Sequence, residues 1–148
     1  MSNESHRSSP ELQLLGRSEN QLPTEPDSEI LECFPNRNPE RDFSVQLDCS
    51  DFSSLCPVTG QPDAARIVIR YVPGDQCVET KSLKFYLASY RTTAAFNEEI
   101  VNRILADLIK AASPKAAVIR GEFAARGGIS LTAEVCHPAV ADAKSLLS

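Results

Sequence analysis

The chain has 148 residues, a formal net charge of −5, and 42% apolar residues. This length predicts one domain with a buried core, and the acidic balance argues against a general nucleic-acid binder. We find no apolar run of about 18 residues and no apolar leader, so neither a membrane span nor a secretory signal is predicted.

The first 28 residues are rich in Ser, Glu, Asn and Pro. This composition predicts a mostly disordered N-terminal extension, residues 1–28, that carries one short apolar patch at Leu12–Leu15. Residues 29–148 are predicted to form the folded domain. Alternating apolar residues predict strands at Arg41–Ser50 and Ala65–Val72, paired antiparallel around the intervening loop.

The second half of the chain predicts two helices followed by two strands. The helices are expected at Ser82–Arg91, with Ser82 as N-cap, and at Thr93–Ala112, where apolar residues recur at helical spacing. The strands are expected at Ala116–Phe123 and Ile129–Val135, joined by the turn Arg126-Gly127-Gly128. The order ββααββ predicts an α+β fold, with a four-stranded antiparallel sheet covered on one face by two helices.

Five cysteines are spread along the chain: Cys33, Cys49, Cys56, Cys77 and Cys136. Their odd number and wide spacing match neither a disulfide framework nor a zinc site. We therefore expect reduced thiols, a cytoplasmic location and no metal centre.

Cys56 has the most informative setting of the five. Pro57 and Pro62 exclude helix and Gly60 permits a sharp reversal, so the segment can fold back and bring Asp63 near the Cys56 sulfur. A thiolate can attack an electrophilic carbon while a nearby carboxyl moves the proton. On spacing alone, a buried cysteine beside a surface loop with a turn-capping aspartate is an equally good interpretation.

Two motifs carry a family resemblance, Cys56-Pro57-x-Thr59-Gly60-Gln61-Pro62-Asp63 and Glu79-x-Lys81-Ser82-Leu83-Lys84-x-Tyr86. Together they closely resemble the QueF family, the NADPH-dependent 7-cyano-7-deazaguanine reductases of queuosine biosynthesis, in its single-module form. The resemblance spans roughly residues 30–132 and continues through these further segments: Phe34-Pro35-Asn36, Tyr90-Arg91, Phe96-x-Glu98, Asn102-Arg103-Ile104 and Arg126-Gly127-Gly128-Ile129.

The resemblance implies the tunnelling fold (T-fold), self-association into stacked rings (a decamer of two pentamers), and no direct nucleic-acid or membrane partner. It implies reduction of the nitrile of 7-cyano-7-deazaguanine to 7-aminomethyl-7-deazaguanine with NADPH. Cys56 would form a thioimide with the nitrile carbon, and Asp63 would act as acid and base. The implied substrate-binding residues are Val78, Glu79, Thr80, Asn97 and Glu98, with the Glu98 carboxylate accepting the guanine-like edge. The implied cofactor contacts are Lys81, Ser82, Lys84, Arg126 and Gly127.

Each of these assignments competes with an ordinary structural role. Glu98 could be a solvated charge in the first turn of a helix. Lys81 and Lys84 could form the polar face of a short helix. Arg126-Gly127 could belong to an ordinary β-hairpin turn. No Gly-x-Gly-x-x-Gly follows a strand, so a Rossmann site is not predicted. An archaeosine-forming relative would be expected to lack the Lys81-Ser82-x-Lys84 segment, which is intact.

Asn97 departs from the family pattern, which usually has histidine at this position beside the thioimide. We place Asn97 among the catalytic and substrate-binding residues, although an amide cannot titrate. The alternative function is therefore a T-fold relative that forms the thioimide, or binds a deazapurine, with little or no reduction.

Overall fold

The computed structural model of the chain describes residues 21–138. Its strands are β1 Cys33–Pro35, β2 Val45–Leu55, β3 Pro62–Val72, β4 Gln76–Val78, β5 Ala116–Arg126 and β6 Ile129–His137. Its helices are α1 Thr80–Ala88 and α2 Asn97–Ala112, with short 3-10 helices at Ser28–Ile30 and Ser89–Thr92. The main sheet has the antiparallel order β2-β3-β5-β6, so the predicted α+β fold with a four-stranded antiparallel sheet is confirmed.

The hairpin β2–β3 is longer than the sequence predicted. Leu55 pairs with Pro62 at its closed end, and a bulge between Cys49 and Phe52 shifts the register. The bulge adds a residue on β2 and changes which side chains face the core, so a strict period-two pattern stops near Ser50. The prediction of Arg41–Ser50 therefore missed the last part of the strand, the part that leads to Cys56.

The core lies between one face of the sheet and the two helices. Ile67, Ile69 and Tyr71 alternate inward along β3, and the apolar stripe of α2 packs against that face. Each such fully buried aliphatic side chain contributes about 1.5–3 kcal/mol by leaving water. On the other face, Arg66 pairs with Asp48 and Glu122, so apolar and charged residues separate cleanly across the sheet.

Both helices begin at residues other than those predicted. The N-cap of α1 is Glu79, not Ser82, because the Glu79 carboxylate accepts the N–H groups of Lys81 and Ser82, each at 2.7 Å. The first residue of α2 is Asn97, not Thr93. The segment before it is extended and bridges to Leu55, a tertiary contact that helical periodicity does not report.

A small second sheet was not predicted. Strands β1 and β4 pair antiparallel, with Phe34 opposite Cys77. Each strand has three residues, which is too short for an alternation pattern to show.

The described part of the predicted extension contacts the domain. Arg91 donates to the Pro23 carbonyl at 2.7 Å, and Arg103 donates to the Pro26 carbonyl at 2.6 Å. The apolar patch Leu12–Leu15 lies outside the described residues. No helix within residues 21–138 is long and apolar enough to cross a membrane.

Candidate active site

Cys56 directly follows β2 and opens a tight loop that leads into β3. Its N–H donates to the Gln61 carbonyl at 2.8 Å, and its own carbonyl accepts the Gly60 N–H at 2.8 Å. Gly60 has φ +72°, a left-handed conformation that glycine adopts without strain. Two backbone hydrogen bonds therefore close the loop, one to the N–H and one to the carbonyl of Cys56. The Cys56 side chain lies at the start of the loop and is half-buried.

Asp63 is the second residue of β3 and shares the inward face with Ala65 and Ile67. It lies opposite Ser54 in the hairpin and is 8% exposed. A carboxylate this buried needs a strong partner, and Arg126 supplies it: Nη1 donates to Asp63 Oδ1 at 2.8 Å.

Arg126 also reaches the Cys56 loop. Nη2 donates to Gln61 Oε1 at 2.5 Å and to Thr59 Oγ1 at 3.4 Å. Gly127 and Gly128, with φ +59° and +81°, form the turn that follows Arg126. The guanidinium predicted to meet a cofactor phosphate is therefore engaged, in this structure, with Asp63 and the nucleophile loop.

Hydrogen-bond donors surround the Cys56 sulfur. The Thr59 hydroxyl, the N–H groups of Thr59 and Val58, and Arg126 together lower the pKa of Cys56 to about 7. By contrast, burial raises the pKa of Cys33 to about 11 and also raises the pKa of Cys77. All five cysteines lie within the described residues and none forms a disulfide. Cys56 is therefore the cysteine whose surroundings most favour a thiolate among those with a shifted pKa.

Asn97 is brought to this site by the bridge before α2. The Leu55 N–H donates to the Thr93 carbonyl at 3.0 Å, and the Ala95 N–H donates to the Leu55 carbonyl at 3.2 Å. The first turn of α2 therefore begins beside the strand end that carries Cys56. Among the described residues, Asn97 Oδ1 and Ser54 Oγ are buried without a hydrogen-bond partner. Unsatisfied buried polar atoms are uncommon in folded proteins, so these two atoms need a partner that the described residues do not supply.

The other predicted substrate residues are not all at this place. Glu98 follows Asn97 and is exposed, but Val78, Glu79 and Thr80 lie at the opposite end of α1. Helix α1, which begins at Thr80, has nine residues and the 3-10 helix after it has four, a length of about 20 Å along the chain before the bridge to Leu55 is reached. The Glu79 carboxylate already caps α1.

Lys84, one of the predicted cofactor residues on α1, borders a groove of about 560 Å³ between this helix and β2, whereas Lys81 and Ser82 do not line it. Lys84 and Arg91 contribute positive charge, Asp48 and Asp51 contribute negative charge, and Leu47, Leu83 and Leu87 give an apolar floor. A groove of this size with a mixed lining is typical of small-molecule sites.

Ser82 is fully buried. Its hydroxyl donates to the Glu79 carbonyl at 2.8 Å and its N–H donates to the Glu79 carboxylate at 2.7 Å, so neither group is open to a ligand in this structure.

Sequence reasoning missed Thr59 as a site residue, and it missed the link from Arg126 to Asp63. The spacing Cys-Pro-x-Thr was a local signal for Thr59, whereas Arg126 is 63 residues from Asp63. Within residues 21–138, no group of three or more His, Cys, Asp or Glu side chains is arranged to hold a metal ion.

Comparisons with known proteins show the family of the chain. The family described as "QueF-like protein" matches residues 62–142. The NADPH-dependent 7-cyano-7-deazaguanine reductase of Neisseria gonorrhoeae is 50% identical over 128 residues, which cover 84% of this chain and 82% of the relative. The enzyme of the same name from Helicobacter pylori is 51% identical over 105 residues, 71% of each chain.

A solved structure has the same fold. The archaeosine synthase QueF-Like in its apo form superposes with a TM-score of 0.62, covering 66% of this chain and 95% of that chain. Its sequence identity is 20%, so the likeness supports the fold alone.

Proposed function

Because the chain belongs to the QueF family of NADPH-dependent 7-cyano-7-deazaguanine reductases, we propose that it reduces the nitrile of 7-cyano-7-deazaguanine to an aminomethyl group through a thioimide on Cys56. The observation that carries the proposal is the set of hydrogen-bond donors around the Cys56 sulfur, which lowers its pKa to about 7. The reaction would supply the aminomethyl base for queuosine synthesis in tRNA.

In the covalent step, the Cys56 sulfur forms a bond with the nitrile carbon as one carbon–nitrogen π bond opens. The nitrogen takes up a proton, and the product is a neutral thioimide. Asp63 is the group proposed to take the thiol proton and return it to this nitrogen. Support comes from its burial and its position across the hairpin from the Cys56 loop.

When bound, NADPH would supply the two hydrides that take the nitrile carbon to the amine level, and Cys56 would be released as thiolate. Lys81 and Lys84 are the proposed phosphate contacts, and Ser82, the third residue implied on α1, lies between the two lysines in the sequence and is buried. Arg126 and Gly127 remain proposed cofactor contacts at the hairpin turn. Support for Lys84 is the groove of about 560 Å³ that it lines, which has the size of a ligand site.

Substrate selection is proposed to rest on Glu98, whose carboxylate can accept two donors from a guanine-like edge. Asn97, with its buried Oδ1, is proposed to contact the reacting group. Val78, Glu79 and Thr80 are proposed to complete the site from a second copy of the chain within stacked rings. The separation of about 20 Å along α1 and its following 3-10 helix supports a site shared between copies.

We also propose a cytoplasmic location, supported by the absence of a disulfide among the five described cysteines. The competing function, thioimide formation or deazapurine binding with little reduction, is favoured by Asn97 alone. Oxidation of NADPH in the presence of the nitrile, followed by its absorbance, separates the two functions.

Intact-mass spectrometry of the protein mixed with the nitrile, without NADPH, tests the covalent step. We expect one adduct, mapped by peptide analysis to Cys56, which Cys56→Ala abolishes and Cys49→Ala leaves unchanged. Asp63→Asn should slow adduct formation, because an amide cannot take the thiol proton. An adduct that persists in Cys56→Ala would contradict the proposal, since another cysteine would then be the nucleophile.

A further inference from the structure

Arg126 contacts both Asp63 and the Cys56 loop from 63 to 67 residues away in the sequence. One guanidinium nitrogen donates to Asp63, and the other donates to Gln61 and Thr59 of the Cys56 loop. The Asp63 side chain is 9% exposed, while that of Arg126 is 39% exposed. The guanidinium therefore covers the buried carboxylate from the solvent side and ties it to the loop.

Two donors occupy the oxygen of the Thr59 hydroxyl on the side away from Cys56. This oxygen accepts from Arg126 Nη2 at 3.4 Å and from the Gln61 N–H at 3.3 Å. Neither partner can accept a hydrogen bond, so the hydroxyl proton is free to point elsewhere. The Cys56 sulfur is the protein acceptor beside this hydroxyl.

The same guanidinium supplies positive charge to both groups. Arg126 donates to the Asp63 carboxylate at 2.8 Å, and it is also one of the donors that lower the pKa of Cys56. A cation beside a cysteine favours its thiolate.

We infer that Thr59 and Arg126 form a hydrogen-bonded relay that favours the thiolate of Cys56 and links the Cys56 loop to the Asp63 carboxylate. Thr59 donates directly to the reacting sulfur, and Arg126 is a positioning residue that orients Thr59 and neutralises Asp63. The relay depends on the proposed function for its use in catalysis, but it is a property of the free protein. Without nitrile or NADPH, it can be tested separately.

The test is the rate of Cys56 alkylation by iodoacetamide as a function of pH, on the full chain alone, with Cys56 followed by peptide mass spectrometry. In the parent protein the rate should rise with pH to a midpoint near 7, the pKa of Cys56. Thr59→Val keeps the shape but removes the hydroxyl. We expect it to move the midpoint up by about one pH unit, an approximately fivefold lower rate at pH 7.

Matched variants separate the relay from a general structural role. Thr59→Ser restores the hydroxyl and should restore the parent midpoint. Arg126→Ala should raise the midpoint, whereas Arg120→Ala, which removes an outer-face ion pair on the same strand, should leave it unchanged. Should Arg126→Ala fail to fold, Thr59→Val and Thr59→Ser still decide the outcome.

Two results would overturn the relay. One is a Thr59→Val midpoint within about 0.3 pH units of the parent, a difference of only about twofold in thiolate ratio. The other is an Arg126→Ala protein with an unchanged alkylation midpoint and a raised KM for NADPH, which would make Arg126 a cofactor contact only. A shifted midpoint in a protein that forms no nitrile adduct would support the relay and refute the proposed function.

Discussion

Asn97 is the candidate site residue at which the family resemblance implies a histidine. It begins α2 beside the end of β2, and its Oδ1 is buried without a partner among the described residues. An amide at this position can donate or accept a hydrogen bond, but it supplies no proton near neutral pH. The proton handling of the site then depends on Asp63.

Asn97→His should raise turnover with the nitrile and NADPH, because a positioned histidine is typically worth about 10²–10⁴-fold as an acid or base. Nitrile binding should stay within about tenfold, or roughly 1.4 kcal/mol. Steady-state kcat and an independent Kd for the nitrile measure the two effects. Asn102→His, on the exposed side of the same helix, is the matched control and should change neither quantity. Loss of activity in Asn97→His would show that the site is built around the amide.

Helix α2 ends in a conformation that its sequence does not favour. Ser113 follows Ala112 as C-cap with φ +45° and ψ +56°, the left-handed region. A side chain with a Cβ is strained there by about 1–2 kcal/mol, whereas glycine is not. The Ser113 hydroxyl offsets little of this cost, since it is exposed and reaches the Ile109 carbonyl at 3.5 Å.

Ser113→Gly should therefore raise the free energy of unfolding by about 0.5–1 kcal/mol, after the greater chain entropy of glycine is subtracted. Urea unfolding followed by circular dichroism measures this difference. Ser113→Ala removes the hydroxyl but keeps the Cβ, so it should give no gain. A Ser113→Gly protein no more stable than the parent would show that the strain at this C-cap is relieved elsewhere.

The main sheet leaves β2 and β6 as edge strands, and exposed apolar side chains lie near the Cys56 loop. Val58 is 79% exposed, Ile129 is 74% exposed and Phe96 is 52% exposed. Open edges and exposed apolar residues both favour association with further copies. In a ring, the groove beside α1 of one copy and the Cys56 loop of the next could meet.

Sedimentation velocity of the full chain at micromolar concentration should show an assembly rather than a monomer, with a decamer as the expected mass. Shared sites predict a second result. Cys56→Ala and Lys84→Ala proteins, each of low activity, should regain part of the reductase activity when they are unfolded and refolded together. A fully active monomer would contradict the shared site. If the protein assembles but the co-refolded mixture regains no reductase activity, Lys84 and Cys56 belong to a site within the same copy.

Local sequence patterns determined the fold class and marked a candidate nucleophile. Strand alternation in Ala65–Val72 and the helical stripe of Thr93–Ala112 report which side chains face a core, and these patterns act over a few neighbouring residues. The proline-bracketed loop similarly marked Cys56 and Asp63, because Pro57, Gly60 and Pro62 constrain the backbone between them. Such features are encoded within about ten residues and need no distant contact.

Only the tertiary structure decided how the site is completed. Arg126 reaches Asp63 from a hairpin 63 residues away, and the bridge from Leu55 to Thr93 and Ala95 shortens α2 and places Asn97 beside the nucleophile. The carboxylate of Glu79 became a helix cap because α1 begins where β4 ends. Each outcome depends on which strands are neighbours in the sheet, and sheet order is set by packing across the whole domain, not by the local pattern of any one segment.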